Sequence, residues 1–426
     1  MDAASLSRLT QRLFGHDAGA PKRLSGGASM ESWMFEAGGE AYVLRRLPEG
    51  ASLEAAIAGL PLSTEAAIIR LARAHGVRAP EVVTELTADD ALGTGYVMRA
   101  VAGETLPHKI LGNPDFAGAD LTRECARELA RIHALPTDDV HALLTHTSTA
   151  RMVAELRELY ASTGATIPAF DIAFEWLESH LPGEVGPRLL HGDFRMGNLM
   201  IDADGVAGVL DWELTHLGDP AQDIGFLCAP SWRFGHWENE VGGFGDLDNF
   251  LAAYREAGGA EVSAERVRFW EIYSSLWWGL VCIQMVELWR KGLVRTLERP
   301  VIGTRVSETE VDLLLLLDMH GGGGRVEPFA FPHPEATSHT GDTDPAELLE
   351  ALSEWTSGLV AESSGHAKFE ARIARNALGI ARRAALQGPP LEVTDLQSLH
   401  KDVLHRLRID QPKYAGLRVA EGRWLL

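Results

Sequence analysis

Apolar residues recur at two different periods along this chain, and the switch between them marks its elements. Leu6, Leu9 and Leu13, within Ser5–Phe14, are spaced for one face of a short helix. Three strand-like runs follow, Lys22–Leu24, Ser32–Glu36 and Ala41–Leu47, and alternation in the last puts Val43 and Arg45 on one face. Helical spacing returns over Thr64–His75, Leu121–Ala134, Ala150–Tyr160 and Pro168–His180, with an apolar strand at Gly95–Met98. Near the middle the pattern shortens. Arg188–Leu190 is a brief apolar approach, Asn198–Asp202 a strand, Ala203–Gly205 a turn and Val206–Leu210 the returning strand of a hairpin. A strongly apolar helix then carries Trp270, Trp277 and Trp278, where core packing is the expected role. The leucine run Leu313–Leu317 lies between Asp312 and Asp318 and is far shorter than the roughly 20 residues that cross a membrane, so it reads as a buried helix turn.

Periodicity stops after Gly321–Gly324. Residues 325–343 are rich in Pro, Gly, Ser, Thr and His and read as a flexible linker. Beyond it, Pro345–Ser363 (Leu348, Leu352, Trp355, Leu359) and His366–Gln387 (Phe369, Ile373, Ala377, Ile380) predict amphipathic helices, and Thr394–Arg408 a third. The expected domains are therefore 1–102, 103–324, a linker over 325–343 and a helical unit over 344–426.

Composition narrows the class. With 426 residues and 46% hydrophobic content the chain can bury a large core. The formal charge of -21, with no Lys/Arg block, argues against nucleic acid and against an anionic membrane surface. The last 83 residues hold eleven acids and eleven bases, so the acid excess lies in the first 343. Arg372, Arg375, Arg382 and Arg383 fall near one side of their helix, most simply a solvated face. Cys125, Cys228 and Cys282 are too scattered for a zinc or disulfide framework, and Met1–Ser5 opens no secretory signal, so a reducing cytoplasm is the expected location.

The chemistry concentrates in Leu190-His191-Gly192-Asp193-Phe194-Arg195-Met196-Gly197-Asn198, followed by Asp211-Trp212-Glu213. Phosphoryl transfer needs a carboxylate beside the attacking hydroxyl and hard oxygen ligands for Mg²⁺. Asp193 meets the first need, and Asn198 and Asp211 the second. The His-x-Asp-x-x-x-x-Asn spacing is the catalytic-loop pattern of the kinase fold, and the hairpin brings Asn198 and Asp211 to one end.

These residues, with Gly218-Asp219-Pro220-Ala221-Gln222-Asp223-Ile224-Gly225, resemble the aminoglycoside phosphotransferase and choline kinase superfamily. The resemblance implies an α+β, bilobal protein-kinase-like fold, with an antiparallel sheet in the N-lobe, a mainly helical C-lobe, and here a small all-α C-terminal domain. It implies that Asp223 holds the catalytic loop's backbone and that His191 supports the loop without doing chemistry. It places Arg45 where such enzymes carry the phosphate-pairing lysine, with Glu65 as the carboxylate that holds it. Arginine supplies the same charge through a planar fork. Gly26 and Gly27, in a small-residue loop, are candidates to bring backbone N–H groups to ATP phosphates. The turn from Arg99 to Gly103 resembles the hinge that reads adenine, with backbone contacts from Arg99 and Val101. Leu129–Leu135 resembles the helix beneath the catalytic loop, which makes His133 a core or capping histidine.

An ATP- and Mg²⁺-dependent kinase acting on a small-molecule hydroxyl is the expectation. Its acceptor side is less legible. Six of eleven tryptophans lie between Ser231 and Trp289, and Ser231–Pro300 carries ten acids and eight bases, a balance that disfavours polycationic sugars. Trp232 and Trp237, among glycines, are the candidates to face the acceptor. The tail resembles a helical domain that accompanies kinases of hydroxyacyl-coenzyme A thioesters, which favours a 4-hydroxyacyl-CoA as acceptor. Choline, homoserine, a sugar or an antibiotic stays open, as does a catalytically silent nucleotide-binding regulator. Homodimerisation or partner docking through the tail also stays open.

Overall fold

The N-terminal segment builds a five-stranded antiparallel sheet because its alternating runs leave an apolar face for a helix on either side. The computed structural model describes residues 2–24, 30–47, 59–116, 120–138, 140–322, 324, 326–331, 343 and 345–426. Helix α1 (Ala3–Phe14) is capped by Asp2, whose carboxylate accepts from Ala4 and Ser5 N–H, and closes on Gly15 in the left-handed conformation. Strands β1 (Lys22–Arg23), β2 (Glu31–Ala37) and β3 (Glu40–Leu47) precede helix α2 (Leu62–Ala74), and β4 (Val82–Glu85) and β5 (Thr94–Arg99) complete the sheet in the order β1-β2-β3-β5-β4. One face packs Phe35, Tyr42, Leu44 and Val97 against Leu6 and Leu9 of α1. The other face carries Arg45, paired in register with Tyr96. Pleating fixes this division, since neighbours along a strand point to opposite faces.

Chain contacts divide the protein into two compact units. The first comprises Met1–Thr149, Pro182–Phe234 and Glu238–Glu271, and the second Ala150–Leu181, Gly235–Trp237 and Ile272–Leu426. After the one-turn α3 (Pro107–Ile110), the first unit adds α4 (Leu121–His133). Helices α5 (Thr149–Thr163) and α6 (Pro168–Ser179) belong to the second unit, apart from Thr149. The first then continues with β6 (Arg188–Leu190), the hairpin β7 (Leu199–Asp202) and β8 (Gly205–Val209), β9 (His216–Gly218), α7 (Pro220–Cys228) and α8 (Leu247–Glu256). Ile68 and Ile69 of α2, Leu129 and Ile132 of α4, Leu189, Phe194, Leu199, Val209, Trp212 and Ile224 form one buried core. Each such side chain contributes about 1.5–3 kcal/mol on leaving water. That core sets the loop between β6 and β7 on a packed base.

Helix α9 (Ala264–Arg290) begins in the first unit and continues in the second. Trp270 is fully buried and Trp277 and Trp278 half-buried. In the second unit follow α10 (Glu298–Gly303), α11 (Val306–Met319), α12 (Pro345–Glu362), α13 (Gly365–Gln387), α14 (Leu396–Asp410) and α15 (Ala415–Trp424). Leu313–Leu317 is buried in α11. Three acids of α11 are buried too, and each is partnered: Glu308 with Arg305 at 2.9 Å, Glu310 with Arg406 at 2.8 Å, Asp312 with the Tyr414 hydroxyl at 2.6 Å. Unpaired, such charges would cost several kcal/mol each.

Composition suggests an independent tail after 325–343. In the structure α14 and α15 instead share a core with Ala169 of α6 and Val311, Leu314 and Leu315 of α11, through Leu399, Val403, Leu404, Leu407 and Trp424. On α12, Leu348, Leu352 and Trp355 are exposed. Arg382 reaches Glu350, and Arg383 reaches the Ile409 carbonyl. Among the described residues no helix is long and apolar enough to cross a membrane.

Candidate active site

Strand β6 ends in a turn that only glycine tolerates. Gly192 has φ +84°, and a Cβ there would stand 2.3 Å from the Leu214 carbonyl oxygen. The turn leaves two N–H groups pointing inward, and Asp223, in the first turn of α7, takes both. His191 N–H donates to its Oδ2 and Gly192 N–H to its Oδ1, each at 2.8 Å. His133 Nε2 adds a third bond at 3.0 Å, while its Nδ1 lies 2.7 Å from the Tyr254 hydroxyl. Burial alone would raise the Asp223 pKa, but His133 and the backbone donors hold it below the ordinary carboxylate value.

His191 is equally committed. Its Nε2 donates to the Leu210 carbonyl at 3.0 Å and its Nδ1 accepts from Asp193 N–H at 3.2 Å, a pattern that requires the neutral ring. Burial lowers its pKa in the same sense. Its ring sits 4.8 Å from that of buried Trp212. No lone pair or proton remains for chemistry.

Asp193 stands at the open end of this scaffold. One carboxylate oxygen meets Arg195 Nε at 2.8 Å, and the other meets Asn198 Nδ2 at 2.6 Å. Asn198 Nδ2 also spans 2.9 Å to the Asp193 carbonyl, closing the loop on itself. Burial pushes the Asp193 pKa up to about 6, with Arg195 opposing and Asp211 reinforcing the rise. Such a carboxylate takes and releases a proton near neutrality.

The β7–β8 hairpin returns Leu210 N–H to the Asn198 carbonyl at 2.8 Å, so Asp211 follows directly beside the loop. Asp211 adopts φ +64°, unusual outside glycine. Its carboxylate lies 2.9 Å from Arg45 Nη2, and Glu213 lies 2.6 Å from the same nitrogen. Glu65 of α2 accepts from Arg45 Nε at 3.2 Å. The buried Tyr96 phenol faces the Arg45–Glu65 pair. One guanidinium thus gathers three carboxylates, and burial with Asp211 alongside pushes Glu213 up to about 7. Glu213 joins the site with no sequence signal beyond its position two residues past Asp211.

The remaining candidates fall elsewhere. Gly26 and Gly27 lie outside the described residues. Arg99 donates its backbone N–H to the Glu81 carbonyl and pairs with Glu81 and Glu40 through its side chain. Val101 packs over Gly208 and lines a cavity of about 490 Å³ with Ala79, Pro80, Glu81 and Ala207. Trp232 is buried with its ring 4.7 Å from the Arg195 guanidinium. Trp237 is assigned to the second unit, where it packs on the core of α11, α14 and α15. Arg195 bridges Asp193 and Trp232, a role that the motif spacing alone does not announce.

Asn198 and Asp211 together offer an amide oxygen and a carboxylate, the hard donors that suit Mg²⁺ when phosphate oxygens complete its shell. Among the described residues no cluster of three or more His, Cys, Asp or Glu forms a protein-only cage. The donor set therefore fits a phosphate-shared ion.

A loop bearing one raised carboxylate, an asparagine and an aspartate, set against a cationic strand, defines a phosphotransferase-type site. The model of the phosphotransferase enzyme family known as APH matches residues 21–270, and the chain belongs to that family. Its fold is shared with a Ralstonia eutropha protein named as an aminoglycoside phosphotransferase (TM-score 0.59, 19% identity, 75% of this chain and 98% of that one). It is shared too with macrolide 2'-phosphotransferase MphH of Brachybacterium faecium (TM-score 0.51, 19% identity, 73% and 97%). The kinase-like α+β fold implied by the motif is thus the observed one. Among curated proteins, acyl-CoA dehydrogenase family member 10 of Mus musculus is 28% identical over 242 residues, which is 53% of this chain and 22% of that protein. Acyl-CoA dehydrogenase family member 11 of Rattus norvegicus is 30% identical over 213 residues, 47% and 27% respectively. The match thus spans only about a quarter of these relatives' length.

Proposed function

We propose that this chain transfers the γ-phosphoryl group of ATP to a hydroxyl of a small molecule, and that the acceptor is a 4-hydroxyacyl-CoA. The observation that carries the reaction is Asp193, raised to about 6, beside Asn198 and within the field of Asp211. A solved relative of the same fold, aminoglycoside phosphotransferase APH(4)-Ia, forms a ternary complex with AMP-PNP and hygromycin B, which supports ATP as donor.

In this reading Asp193 orients the acceptor hydroxyl and accepts its proton as the O–P bond forms. Asn198 and Asp211 hold Mg²⁺, which when bound neutralises charge on the phosphates. Arg45 turns part of its fork from Asp211 and Glu213 to the phosphates while Glu65 fixes its Nε. Asp223 and His191 keep the loop backbone in place. The backbones of Gly26, Gly27 and Val101 are the further nucleotide contacts of this reading, whereas the Arg99 N–H is committed to the Glu81 carbonyl. The acceptor reading is supported by the charge balance of Ser231–Pro300, by Trp232 beside Arg195, and by relatives named for acyl-CoA dehydrogenation.

ADP release in the presence of Mg²⁺, ATP and a panel of alcohols tests the reaction. The panel contains a 4-hydroxyacyl-CoA, choline, homoserine and an aminoglycoside. Turnover confined to the thioester is expected. Turnover with choline or the aminoglycoside alone removes the acceptor, and nucleotide binding without any turnover favours a silent regulator.

The pH profile provides a second check. Asp193 accepts a proton only when ionised, so kcat/KM for the acceptor should rise with pH through about 6 and level off above it. A profile flat from about pH 5 to about pH 8 would contradict the assignment.

A further inference from the structure

We propose that Arg195 selects the acceptor, by binding a carbonyl or carboxylate oxygen carried close to the hydroxyl that meets Asp193. The proposal rests on the kinase reading of Asp193 and names the group that discriminates at that same site.

Three features fix this guanidinium. Its Nε and Nη2 face the two oxygens of Asp193 at 2.8 and 3.4 Å. Its Cζ stands 4.7 Å from the ring centroid of Trp232, which is itself 6% exposed and packs 5.7 Å from the Phe226 ring. Its Nη1 folds over Gly197, where a Cβ would come within 2.6 Å. The side chain is 26% exposed. Among the described residues no protein oxygen accepts from Nη1. The fork is thus divided: Nε and Nη2 pair with Asp193, while Nη1, lying over Gly197, keeps its N–H groups for a ligand oxygen.

That division sets a ruler. A hydroxyl within hydrogen-bond reach of Asp193 and an oxygen within reach of Nη1 lie on the order of 5 Å apart. The hydroxyl and carbonyl oxygens of a 4-hydroxyacyl chain span about that distance. Pairing with Arg195 offsets the charge of Asp193, so the site offers an acceptor bearing ammonium groups less attraction than an unpaired carboxylate would. The phosphate-pairing cation is a different residue, Arg45, tied to Asp211 and Glu213. Arg195 is tied instead to the residue that meets the hydroxyl. Its platform on Trp232 restricts the fork, so little rotamer freedom is lost when an oxygen binds.

The test uses the full chain with Mg–ADP and two ligands: 4-hydroxypentanoyl-CoA and the thioether analogue in which a methylene replaces the carbonyl. Calorimetric titration is expected to give at least about tenfold tighter binding of the thioester. Arg195→Gln should weaken the thioester about tenfold to a hundredfold and bring the two ligands to near equality, while Arg195→Lys recovers part of the preference. Melting temperatures of the variants, matched to the parent, separate this effect from misfolding. Equal weakening of both ligands, a preference unchanged by Arg195→Gln, or no binding of either ligand to the parent overturns the proposal. Turnover is read separately. Arg195-dependent binding with no ADP release from the thioester removes the kinase reading and leaves the assignment of Arg195 standing.

Discussion

Asp193→Asn is expected to lower turnover by about 10³-fold or more while leaving nucleotide binding close to that of the parent. The amide keeps the volume of the carboxylate and an oxygen to accept from Arg195 or Asn198, so the loop geometry has reason to persist. What is lost is the capacity to take a proton. The stability effect has a definite sign. Burial raises the Asp193 pKa from 3.8 to about 6, so the folded state favours the protonated form. The group costs no stability below the unfolded pKa, and its cost grows as pH rises from about 4 to about 6 and stays constant above. Removing it should therefore stabilise the protein more at pH 8 than at pH 4. Stopped assays of ADP formation, nucleotide-induced melting shifts and unfolding at both pH values check the three parts. Retained turnover in the variant excludes Asp193 as the proton acceptor.

The neighbourhood of this site is local in sequence, which is why so much of it can be read there. Asp193 and Asn198 share one loop, and the Ala203–Gly205 turn obliges the chain to return Asp211 to the same end. Arg45 and Glu65 meet because strand alternation turns Arg45 to the α2 face and Glu65 lies in the first turn of α2. Other features depend on partners remote in sequence. Short β9 has three residues and pairs with β6 across the whole catalytic hairpin, so no run of its own announces it. Strand β4 is held by β5 through an irregular register. Trp237 and Trp232 sit among the same glycines, yet contacts assign them to different units. The tail follows the same rule. Leu399, Val403 and Leu407 reveal a helical stripe but not its partner, which is α11. An apolar face states that something must cover it, and only the fold states what.

Arg45→Met is expected to damage the protein itself as well as its nucleotide site. The guanidinium is 8% exposed and stands among Glu65, Asp211 and Glu213, whose side chains are 1%, 28% and 30% exposed. Removing the cation leaves a fully buried Glu65 without its counterion, a change that costs about 3–5 kcal/mol in comparable buried pairs. Desolvation already raises the Glu65 pKa above the ordinary value even with Arg45 present. Without Arg45 that pKa rises further, so the carboxyl protonates instead of staying charged. A raised folded-state pKa costs stability progressively as pH increases through the interval between the unfolded and folded values. The variant should consequently lose more stability at pH 8 than at pH 5, whereas a simple packing defect would lose the same at both. Arg45→Lys separates charge from shape. An ammonium keeps the charge, but its compact head cannot span three carboxylates approached through Nε and Nη2. It should recover most of the stability and only part of the ATP affinity. Urea unfolding at the two pH values, with ATP titration of both variants, decides the matter. Equal destabilisation at pH 5 and pH 8, or full ATP affinity in Arg45→Met, would show that the three-carboxylate cradle does not depend on this cation.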